Sequence, residues 1–471
     1  KKKASAKRAE PETGLPAWVK LPSALILIGA VIAIVGIVMG EKTHLAHAWL
    51  VSFMFYLSIC LGGFFLVLLH YLLDTHWIVP IRRIAEHLAC LLPLLAVFFV
   101  PIALFSGSEF VTISAGAKAS EHEKNNNAIK AEKKAAEVHG EKVEYKEGES
   151  DHAAHGPDRP RAFYSWMQSE KEYYETVPNE THDHAWHAKR GYLSTGFWHI
   201  RWVLCFVIWG VFTWLMRKHS LAQDSDGDAK WTGYNRKLAA AGIFVFAATL
   251  TIGAIDWMKG LEHQWFSTMY GVYYFAGSVW VSLITIYVIA LRLKTHGPLK
   301  DVVQKKTLKD NATLFFAFTV FYAYIHFSQY FLIWNASIPE ETFWYVKREQ
   351  GPWWWVGMLI IFGHFFVPFL ALLRQDVKVR SEVMITVAVL AWFIHFCDMS
   401  YNIMPVIHQF GGWMEHIWID AGCLALMGGA LSMVFIHFFK QHPPYPQKDP
   451  RIAETMGVYV PLHSEAKASG K

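Results

Sequence analysis

Ten long apolar runs constrain this chain more strongly than any other feature of its sequence. Each approaches the length of about 20 residues that an α-helix needs to cross the hydrocarbon core of a bilayer. The runs cover residues 21–39, 47–73, 81–105, 196–216, 236–257, 268–291, 312–334, 354–373, 382–404 and 417–439. Runs this long exclude the shorter strands of a membrane barrel. The sequence therefore predicts an all-α integral membrane protein with about ten transmembrane helices, which are numbered as spans 1 to 10.

The low content of charged residues supports lipid as the surrounding solvent. Charged residues make up 18% of the chain and apolar residues 53%, whereas a soluble domain usually carries about 25% charged residues. The formal net charge of +5 is explained by basic residues that collect at one membrane face. We therefore expect a lipid membrane as a partner and no nucleic acid.

Basic residues also predict the orientation of the chain. Most of them lie in the two tails and at the junctions after spans 2, 4, 6 and 8. The short loops on the opposite side contain only Lys42, Lys259, Lys347 and Arg348. Because Lys and Arg are retained on the cytoplasmic side, both termini are expected there, and the long 106–195 segment is expected in the periplasm.

The chain divides into five predicted parts. These are an N-terminal tail (1–20), spans 1–3 (21–105), a periplasmic insertion (106–195), spans 4–10 (196–439) and a C-terminal tail (440–471). The insertion starts rich in small and charged residues, which is typical of a solvated segment. It contains His182, His184 and His187, which we interpret as loop residues because neither a cysteine nor a second ligand cluster accompanies them.

Cysteine spacing argues against a redox cofactor held by this chain. All five cysteines lie inside apolar runs and form no CxxC or CxxCH motif. Attached haem, an iron–sulfur cluster and a structural metal site are therefore not predicted.

A first group of candidate functional residues lies at the cytoplasmic ends of spans 2 and 3. His70 and Asp74 have the i, i+4 spacing that places them on one helix face, and Glu86 and His87 follow after a short connection. Ionisable groups are expensive at a membrane and often mark proton paths. This cluster could collect protons, or it could be a salt-bridged helix turn at the headgroup boundary.

A second group lies deeper in the membrane. It contains His326 of span 7, His364 of span 8, and His395 with Asp398 of span 9. Histidine suits a proton relay because its ordinary pKa is near neutrality. The alternatives are hydrogen bonding between helices and, for His326 with His395, ligation of a haem b.

Acidic residues and histidines near the periplasmic ends of the spans form a third group. They are Glu109, Asp256, Glu262, His263, Glu340, Glu341, Glu415, His416 and Asp420. Interfacial anchoring explains most of them, and Asp256 is the candidate for a proton exit.

Three stretches resemble a known family. They read FYLSICLGGFFLVLLHYLLDTHWIVPIRRIAEHLA (55–89), WMKGLEHQWFSTMYGVYYFAG (257–277) and FSQYFLIWNASIPEETFWYVKREQGPW (327–353). Together they are similar to the ActF-type membrane subunit of bacterial alternative complex III, a quinol:cytochrome c oxidoreductase of the NrfD/PsrC-like family. The similarity of pattern extends over all ten spans.

The resemblance implies a fold of two four-helix bundles, spans 2–5 and 6–9, with spans 1 and 10 outside. It implies a complex in a bacterial inner membrane that oxidises menaquinol or a similar quinol. Haem c and iron–sulfur clusters would lie in multihaem cytochrome and iron–sulfur partner subunits. A homologous NrfD-like membrane subunit, and in some complexes a terminal oxidase, would complete the assembly.

Three other functions fit the residues. One is the anchor of a polysulfide- or nitrite-reductase-type complex, which belongs to the same family. Another is a secondary transporter, which would show broken helices at matching positions in two halves. The third is a structural anchor with no role in quinol or proton chemistry.

Overall fold

The computed structural model describes residues 16–107, 109–111, 161–169, 184–409 and 411–455. The predictions made for the remaining parts of both tails, for most of the 106–195 insertion and for His182 lie outside the described residues. The side chains of Glu109 and His184 also lie outside that description.

The described part of the chain contains ten helices that are long and apolar enough to cross a membrane, which confirms the predicted number. Spans 1 to 10 are Lys20–Val38, Lys42–Leu73, Val79–Phe105, Thr195–Asp226, Lys230–Glu262, Tyr270–His296, Lys305–Ala336, Pro352–Leu372, Ser381–Val406 and Trp413–Gln441. Each overlaps one predicted apolar run, and several continue past it. Span 2 has 32 residues and rises about 48 Å, so it protrudes beyond a hydrocarbon core of about 30 Å. The chain is a multi-pass integral membrane protein.

The spans form two four-helix bundles, as expected. In the first bundle, spans 2, 3, 4 and 5 pack in a ring, because each contacts the next and span 5 returns to span 2. Spans 6, 7, 8 and 9 close a second ring in the same way. The bundles meet mainly where span 2 packs on span 6. Span 10 packs on span 2, and span 1 lies against span 10 at the outside.

Small residues allow spans 2 and 6 to approach closely. A Cβ added to Gly62 would overlap the backbone of Ser278 and the side chain of Ser282. The same interface carries a hydrogen bond from Ser282 Oγ to the carbonyl of Ile59 at 2.5 Å. Helices in lipid associate through such close packing and interhelical hydrogen bonds, because hydrocarbon supplies no hydrophobic driving force.

Large apolar side chains cover the outer surface of the bundles. Leu27 of span 1, Trp214 of span 4, Phe327 of span 7 and Leu370 of span 8 each expose about three fifths or more of their area. In water such a surface would drive aggregation. In a membrane it contacts the acyl chains of the lipid, which is consistent with the ten apolar spans.

A short segment of the 106–195 insertion folds onto the chain's own spans. Strand Glu109–Val111 pairs antiparallel with strand Arg161–Ala162. Beyond it, the Tyr164 hydroxyl donates to the carbonyl of Trp257 at 2.9 Å, and Trp166 Nε1 donates to Gly260 at 3.1 Å. These aromatic residues therefore seal the end of span 5.

Candidate functional site

Three of the ionisable residues singled out in the sequence meet inside the second bundle. His364 of span 8, together with His395 and Asp398 of span 9, places one ligand-type atom each within 4.8 Å of the others. All three side chains are buried. The spacing of three residues between His395 and Asp398 puts both on one face of span 9. We call these residues, with Tyr273, Tyr322 and His326, the central cluster.

Local irregularity makes room for the two histidines. His364 lies in a π-helical turn, Ile361–Phe366, within span 8. Such turns are rare and occur frequently at functional sites. On the facing helix, a Cβ added to Gly277 would lie 3.3 Å from Cε1 of His395. Glycine at this position therefore leaves space for the imidazole ring.

The ring of His364 is fixed by stacking rather than by hydrogen bonds. Its centroid lies 3.4 Å from that of Tyr322 and 3.7 Å from that of Trp280. Trp280 is held in turn by a hydrogen bond from Nε1 to Thr319 Oγ1 at 2.8 Å. Within the described chain, neither ring nitrogen of His364 has a hydrogen-bond partner. Because buried polar atoms are nearly always paired, these nitrogens are suited to an exchangeable partner such as water or a proton.

The hydrogen bonds of His395 define which of its nitrogens carries the proton. Nε2 lies 2.8 Å from Ser58 Oγ, and Ser58 Oγ donates its own proton to the carbonyl of Phe55 at 2.6 Å. His395 must then be the donor to Ser58, which leaves Nδ1 unprotonated in the neutral ring. Nδ1 has no hydrogen-bond partner among the residues that the structure describes. His395 therefore presents a free proton acceptor to the interior of the cluster.

Tyrosines link Asp398 to His326. The Tyr273 hydroxyl donates to Asp398 Oδ1, and the Tyr322 hydroxyl lies 3.3 Å from that of Tyr273. His326 Nδ1 lies 3.5 Å from the Tyr322 hydroxyl, which is at the limit of a hydrogen bond. Asp398 Oδ2 accepts no hydrogen bond from any described residue. His326 and His395 thus make separate contacts within the cluster, which gives no support to their pairing on a haem.

A chain of polar groups continues from the central cluster to the C-terminal end of span 9. Asn402 Nδ2 donates to the Tyr273 hydroxyl at 2.9 Å. The Tyr270 hydroxyl donates to Asn402 Oδ1 at the same distance. Arg348 Nη2 donates to the carbonyl of Asn402, also at 2.9 Å. Asp398 is therefore connected, through the Tyr273 and Asn402 side chains and the Asn402 carbonyl, to a buried arginine outside the spans.

Arg348 lies at the end of the polar chain that leads from the central cluster. It lies on helix Pro339–Glu349, which the sequence did not predict. Its guanidinium donates to Glu262 Oε2 at 2.8 Å and to the carbonyl of Trp344 at 3.0 Å. Lys347 Nζ lies 3.0 Å from Glu262 Oε1. Glu262, predicted as an interfacial acid, is thus paired with two basic residues.

Where span 2 ends and span 3 begins, by contrast, the candidate residues are engaged in ion pairs. Arg82 Nη1 lies 2.6 Å from His70 Nε2, and because arginine only donates, Nε2 accepts. His70 Nδ1 then donates to the carbonyl of Thr75 at 2.8 Å. Glu86 accepts from Arg82 at 3.1 Å and from Arg83 at 2.5 Å. Both nitrogens of His70 and both oxygens of Glu86 are occupied, which favours the salt-bridged alternative over proton collection.

The side chains of the other two candidates in this region, Asp74 and His87, contact residues other than His70 and Glu86. Asp74 accepts from Arg451 at 2.8 Å and from Arg236 at 3.0 Å. His87 points to span 10, where its ring centroid lies 5.8 Å from Phe435 and 6.0 Å from Phe439. The expectation that one group of four residues forms here is therefore replaced by an ion-pair network and a separate buried histidine.

The segment after span 10 completes this network. Asp449 accepts a hydrogen bond from Arg82, and the backbone amide of Gln447 donates to Asp224 Oδ1 at 2.9 Å. Burial alone would raise the pKa of Asp449, but the Arg82 guanidinium holds it below the ordinary carboxyl value. The carboxylate of Asp449 thus ties the C-terminal segment to span 3.

Asp256, the predicted proton exit, is also an ion-pair partner. It lies in a second π-helical turn, Ala254–Met258. Arg201 Nε donates to its Oδ2 at 2.5 Å, and the Tyr192 hydroxyl donates to its Oδ1 at 2.8 Å. The guanidinium of Arg201 also lies 3.9 Å from the centroid of the Tyr192 ring. These contacts favour a buried structural pair over a proton exit.

Sequence reasoning missed Tyr273 and Arg348, which connect the central cluster to the outside. A pattern in the sequence could have found Tyr273, since Tyr270, Tyr273 and Tyr274 place three hydroxyls in the first two turns of span 6. The sequence places Arg348 in a short loop between two spans. Only the fold shows that this loop contains helix Pro339–Glu349 and that the arginine is fully buried.

The fold and the site together define a multi-pass membrane protein with buried, partly unpaired titratable groups inside a helical bundle. Comparison of the chain with models of known protein families and with characterised proteins finds no significant match.

Proposed function

We propose that this chain is a membrane subunit of a bacterial quinol:acceptor oxidoreductase and that its central cluster exchanges protons during quinol oxidation. The observation that carries the proposal is the meeting of His364, His395 and Asp398, with free hydrogen-bonding atoms, inside the second bundle. Titratable groups in a membrane interior are expensive and usually functional. The resemblance of residues 55–89, 257–277 and 327–353 to the ActF-type subunit supplies the class of complex.

The hydrogen bonds suggest how the cluster would handle a proton. His395 Nδ1 and Asp398 Oδ2 are the free acceptors, and the Tyr273 hydroxyl donates to the other Asp398 oxygen. A proton that reaches Asp398 can pass through the Tyr273 and Tyr322 hydroxyls to His326, because each hydroxyl can accept one proton while it releases another. The Asn402 amide cannot relay a proton in this way, and it holds the Tyr273 hydroxyl in place. The buried guanidinium of Arg348 opposes entry of cations at the adjacent end of the bundle.

The proposal assigns no electron-transfer cofactor to this chain. Haem c and iron–sulfur clusters belong to partner subunits, because the five cysteines lack the spacing for either group. A menaquinol-type quinol is the substrate of the complex. Its oxidation, in this subunit or in a homologous NrfD-like partner, changes the local charge and thereby drives proton exchange at Asp398.

Orientation follows from the basic residues. In the proposed arrangement both termini lie in the cytoplasm, and the connection between spans 3 and 4 lies in the periplasm. Glu262 and Arg348 then lie near the periplasmic face, whereas Arg82 and Arg83 lie near the cytoplasmic face. The polar chain from Asp398 therefore opens to the periplasm, where quinol-oxidising complexes release protons.

A secondary transporter is the less favoured candidate. It would need a substrate site between discontinuous helices in two matching halves. Spans 5 and 8 each contain a π-helical turn, yet both continue as helix on either side of it. These two spans also occupy different places in their bundles, since span 5 is the fourth helix of one and span 8 the third of the other.

The test is the substitution Asp398→Asn in the intact complex, which is reconstituted into liposomes. We expect quinol oxidation to continue, but with a proton-to-electron ratio below that of the unchanged complex. Asparagine keeps the hydrogen bond from Tyr273 but cannot exchange a proton near neutral pH. The matched control is Asp376→Asn, which changes an exposed aspartate between spans 8 and 9.

Two results would contradict the proposal. An unchanged proton-to-electron ratio in Asp398→Asn and His326→Leu would remove the proton role. Purification of the chain as a stable solute carrier, without cytochrome or iron–sulfur subunits, would remove the assignment to an oxidoreductase complex.

A further inference from the structure

A second cluster of histidines, outside the central cluster, lies where the start of span 2 meets the start of span 10. His44, His408 and His416 each place one ring nitrogen within 4.8 Å of the others. Glu41, at the corner between spans 1 and 2, contacts His416 Nε2 through Oε2 at 3.2 Å. We propose that His44, His408 and His416 bind a divalent transition-metal ion, Zn²⁺ in the first instance, with Glu41 beside the site. The proposal is independent of the quinol-linked function.

The hydrogen bonds of His44 turn one free nitrogen towards the proposed metal. His44 Nε2 lies 2.8 Å from Asp420 Oδ2, and a carboxylate accepts, so Nε2 carries the proton. Nδ1 is then the free nitrogen of the neutral ring. It lies 2.8 Å from His408 Nε2. At this distance the two nitrogens share a proton, which a bound cation would replace.

His416 is oriented in the same manner. Its Nδ1 lies 2.7 Å from the carbonyl of Gly412, so Nδ1 carries the proton. Nε2 is then the free nitrogen, and it faces Glu41 Oε2. A lone pair and a carboxylate oxygen repel each other unless a proton or a cation lies between them. His44 and His416 thus each present an unprotonated nitrogen that a Zn²⁺ ion would bind, and Glu41 adds a negative charge beside His416.

The residues around the ligands resemble the surroundings of known zinc sites. Metal-bound histidines almost always donate their second nitrogen to a carboxylate or a carbonyl, which fixes the ring orientation. Here Asp420 performs this task for His44 and Gly412 for His416. The loop that carries His408 is held by Trp353, whose Nε1 donates to the carbonyl of His408 at 2.5 Å.

The ligand types select the metal. Three imidazoles favour zinc and other first-row transition metals over Mg²⁺ or Ca²⁺, which prefer oxygen ligands. Tetrahedral zinc with Zn–N bonds of 2.0–2.1 Å separates its ligand atoms by about 3.3 Å. To reach that spacing, His44 and His408 would move apart by about 0.5 Å, and His416, whose ligand nitrogen lies within 4.8 Å of theirs, would move closer by up to about 1.5 Å.

The ion would join parts of the chain that are distant in sequence. His44 lies at the start of span 2, whereas His408 lies in the connection between spans 9 and 10 and His416 in the first turn of span 10. Three protein ligands leave one tetrahedral position of a zinc ion for water. Metal binding would therefore clamp span 10 to span 2 at this end of the molecule.

The test is zinc binding by the full chain purified in its complex and stripped with a chelator. We expect one Zn²⁺ per chain by elemental analysis after equilibration and gel filtration. Co²⁺ in its place should give the intense visible absorption of a tetrahedral site. His408→Ala and His416→Gln should each weaken zinc binding at least about 100-fold, because losing only a supporting residue costs 10–100-fold. Asp420→Asn, which changes such a supporting residue, should weaken zinc binding by about 10–100-fold.

The matched control is His437→Ala, which removes an exposed histidine of span 10 that contacts Gln441. It should bind zinc as tightly as the unchanged chain. Equal zinc affinity in the unchanged chain and in His416→Gln would overturn the proposal. So would a Co²⁺ spectrum of octahedral type in the unchanged chain, a measurement that needs no variant to fold.

Discussion

The buried pair of Arg201 and Asp256 allows a structural role to be separated from a proton role by measurement. The pair is almost fully buried, and each partner makes one further polar contact, both to Tyr192. Removing one partner of a buried ion pair leaves the other charge uncompensated, which typically costs about 3–5 kcal/mol. We therefore expect Asp256→Asn and Arg201→Met each to lower the free energy of unfolding by about that amount. Asp256→Asn should lie at the lower end, because asparagine keeps the bond from Tyr192.

Replacing both partners should cost much less than the sum of the two single changes. An apolar pair in place of a buried ion pair is often neutral or stabilising. In Arg201→Met with Asp256→Leu, we expect a loss of no more than about 3 kcal/mol, hence a coupling energy of at least about 2–3 kcal/mol. The measurement is reversible unfolding in mixed detergent micelles, followed by tryptophan fluorescence. The cycle also needs the single variant Asp256→Leu.

The same variants test what Asp256 does in the complex. If the pair is structural, the double variant should assemble and keep the proton-to-electron ratio of the unchanged protein. Single changes that add to within about 0.5 kcal/mol would refute the strong coupling that we infer from the contacts. A double variant that is stable but releases fewer protons would refute the structural role and restore Asp256 as a proton exit.

Two further predictions concern packing and the C-terminal segment. Gly62→Ala should lower the free energy of unfolding by about 1–3 kcal/mol, because the added methyl group overpacks against span 6. Gly210→Ala is the control, since its added Cβ has no heavy atom within 4 Å. In the same unfolding assay it should be neutral or stabilising by up to about 1 kcal/mol. Because the folded-state pKa of Asp449 is lowered, its contribution is present at neutral pH and is lost as pH falls below the ordinary carboxyl range. Protection of residues 442–455 against hydrogen exchange, measured relative to the intrinsic amide rate at each pH, should therefore fall only in acid. Asp449→Asn should lower this protection already at neutral pH and should match the unchanged protein in acid; equal protection in both proteins at neutral pH would contradict this.

The sequence was sufficient to predict the membrane spans, because the requirement for about 20 apolar residues is a local property. It also predicted that His395 and Asp398 share a face, since their spacing decides this within one helix. The resemblance to a known family added the two bundles. Each of these predictions depends either on a short stretch of sequence or on a sequence pattern that extends over the whole chain.

The partners of the candidate residues could not be predicted in the same way. Glu86 was a candidate proton carrier until the fold placed Arg82 and Arg83 on its two oxygens. His44 and His408 are 364 residues apart, yet their ring nitrogens lie 2.8 Å from each other. Whether an ionisable group is paired or free depends on tertiary contacts, and a single sequence does not contain these.

The position of Asp398 along its helix has an electrical consequence. It precedes Ile403, where the α-helix of span 9 ends, by five residues, which is about 7.5 Å of rise. Span 9 has 26 residues, or about 39 Å, and protrudes beyond a hydrocarbon core of about 30 Å. Asp398 therefore lies at most roughly a quarter of the core's thickness from its nearer edge. Moving one elementary charge across the whole core against 100 mV takes about 2.3 kcal/mol. A proton moving between Asp398 and the nearer face would therefore sense only about 0.6 kcal/mol of that voltage. We expect proton exchange at this carboxylate to depend weakly on membrane potential and strongly on the acidity of the nearer compartment.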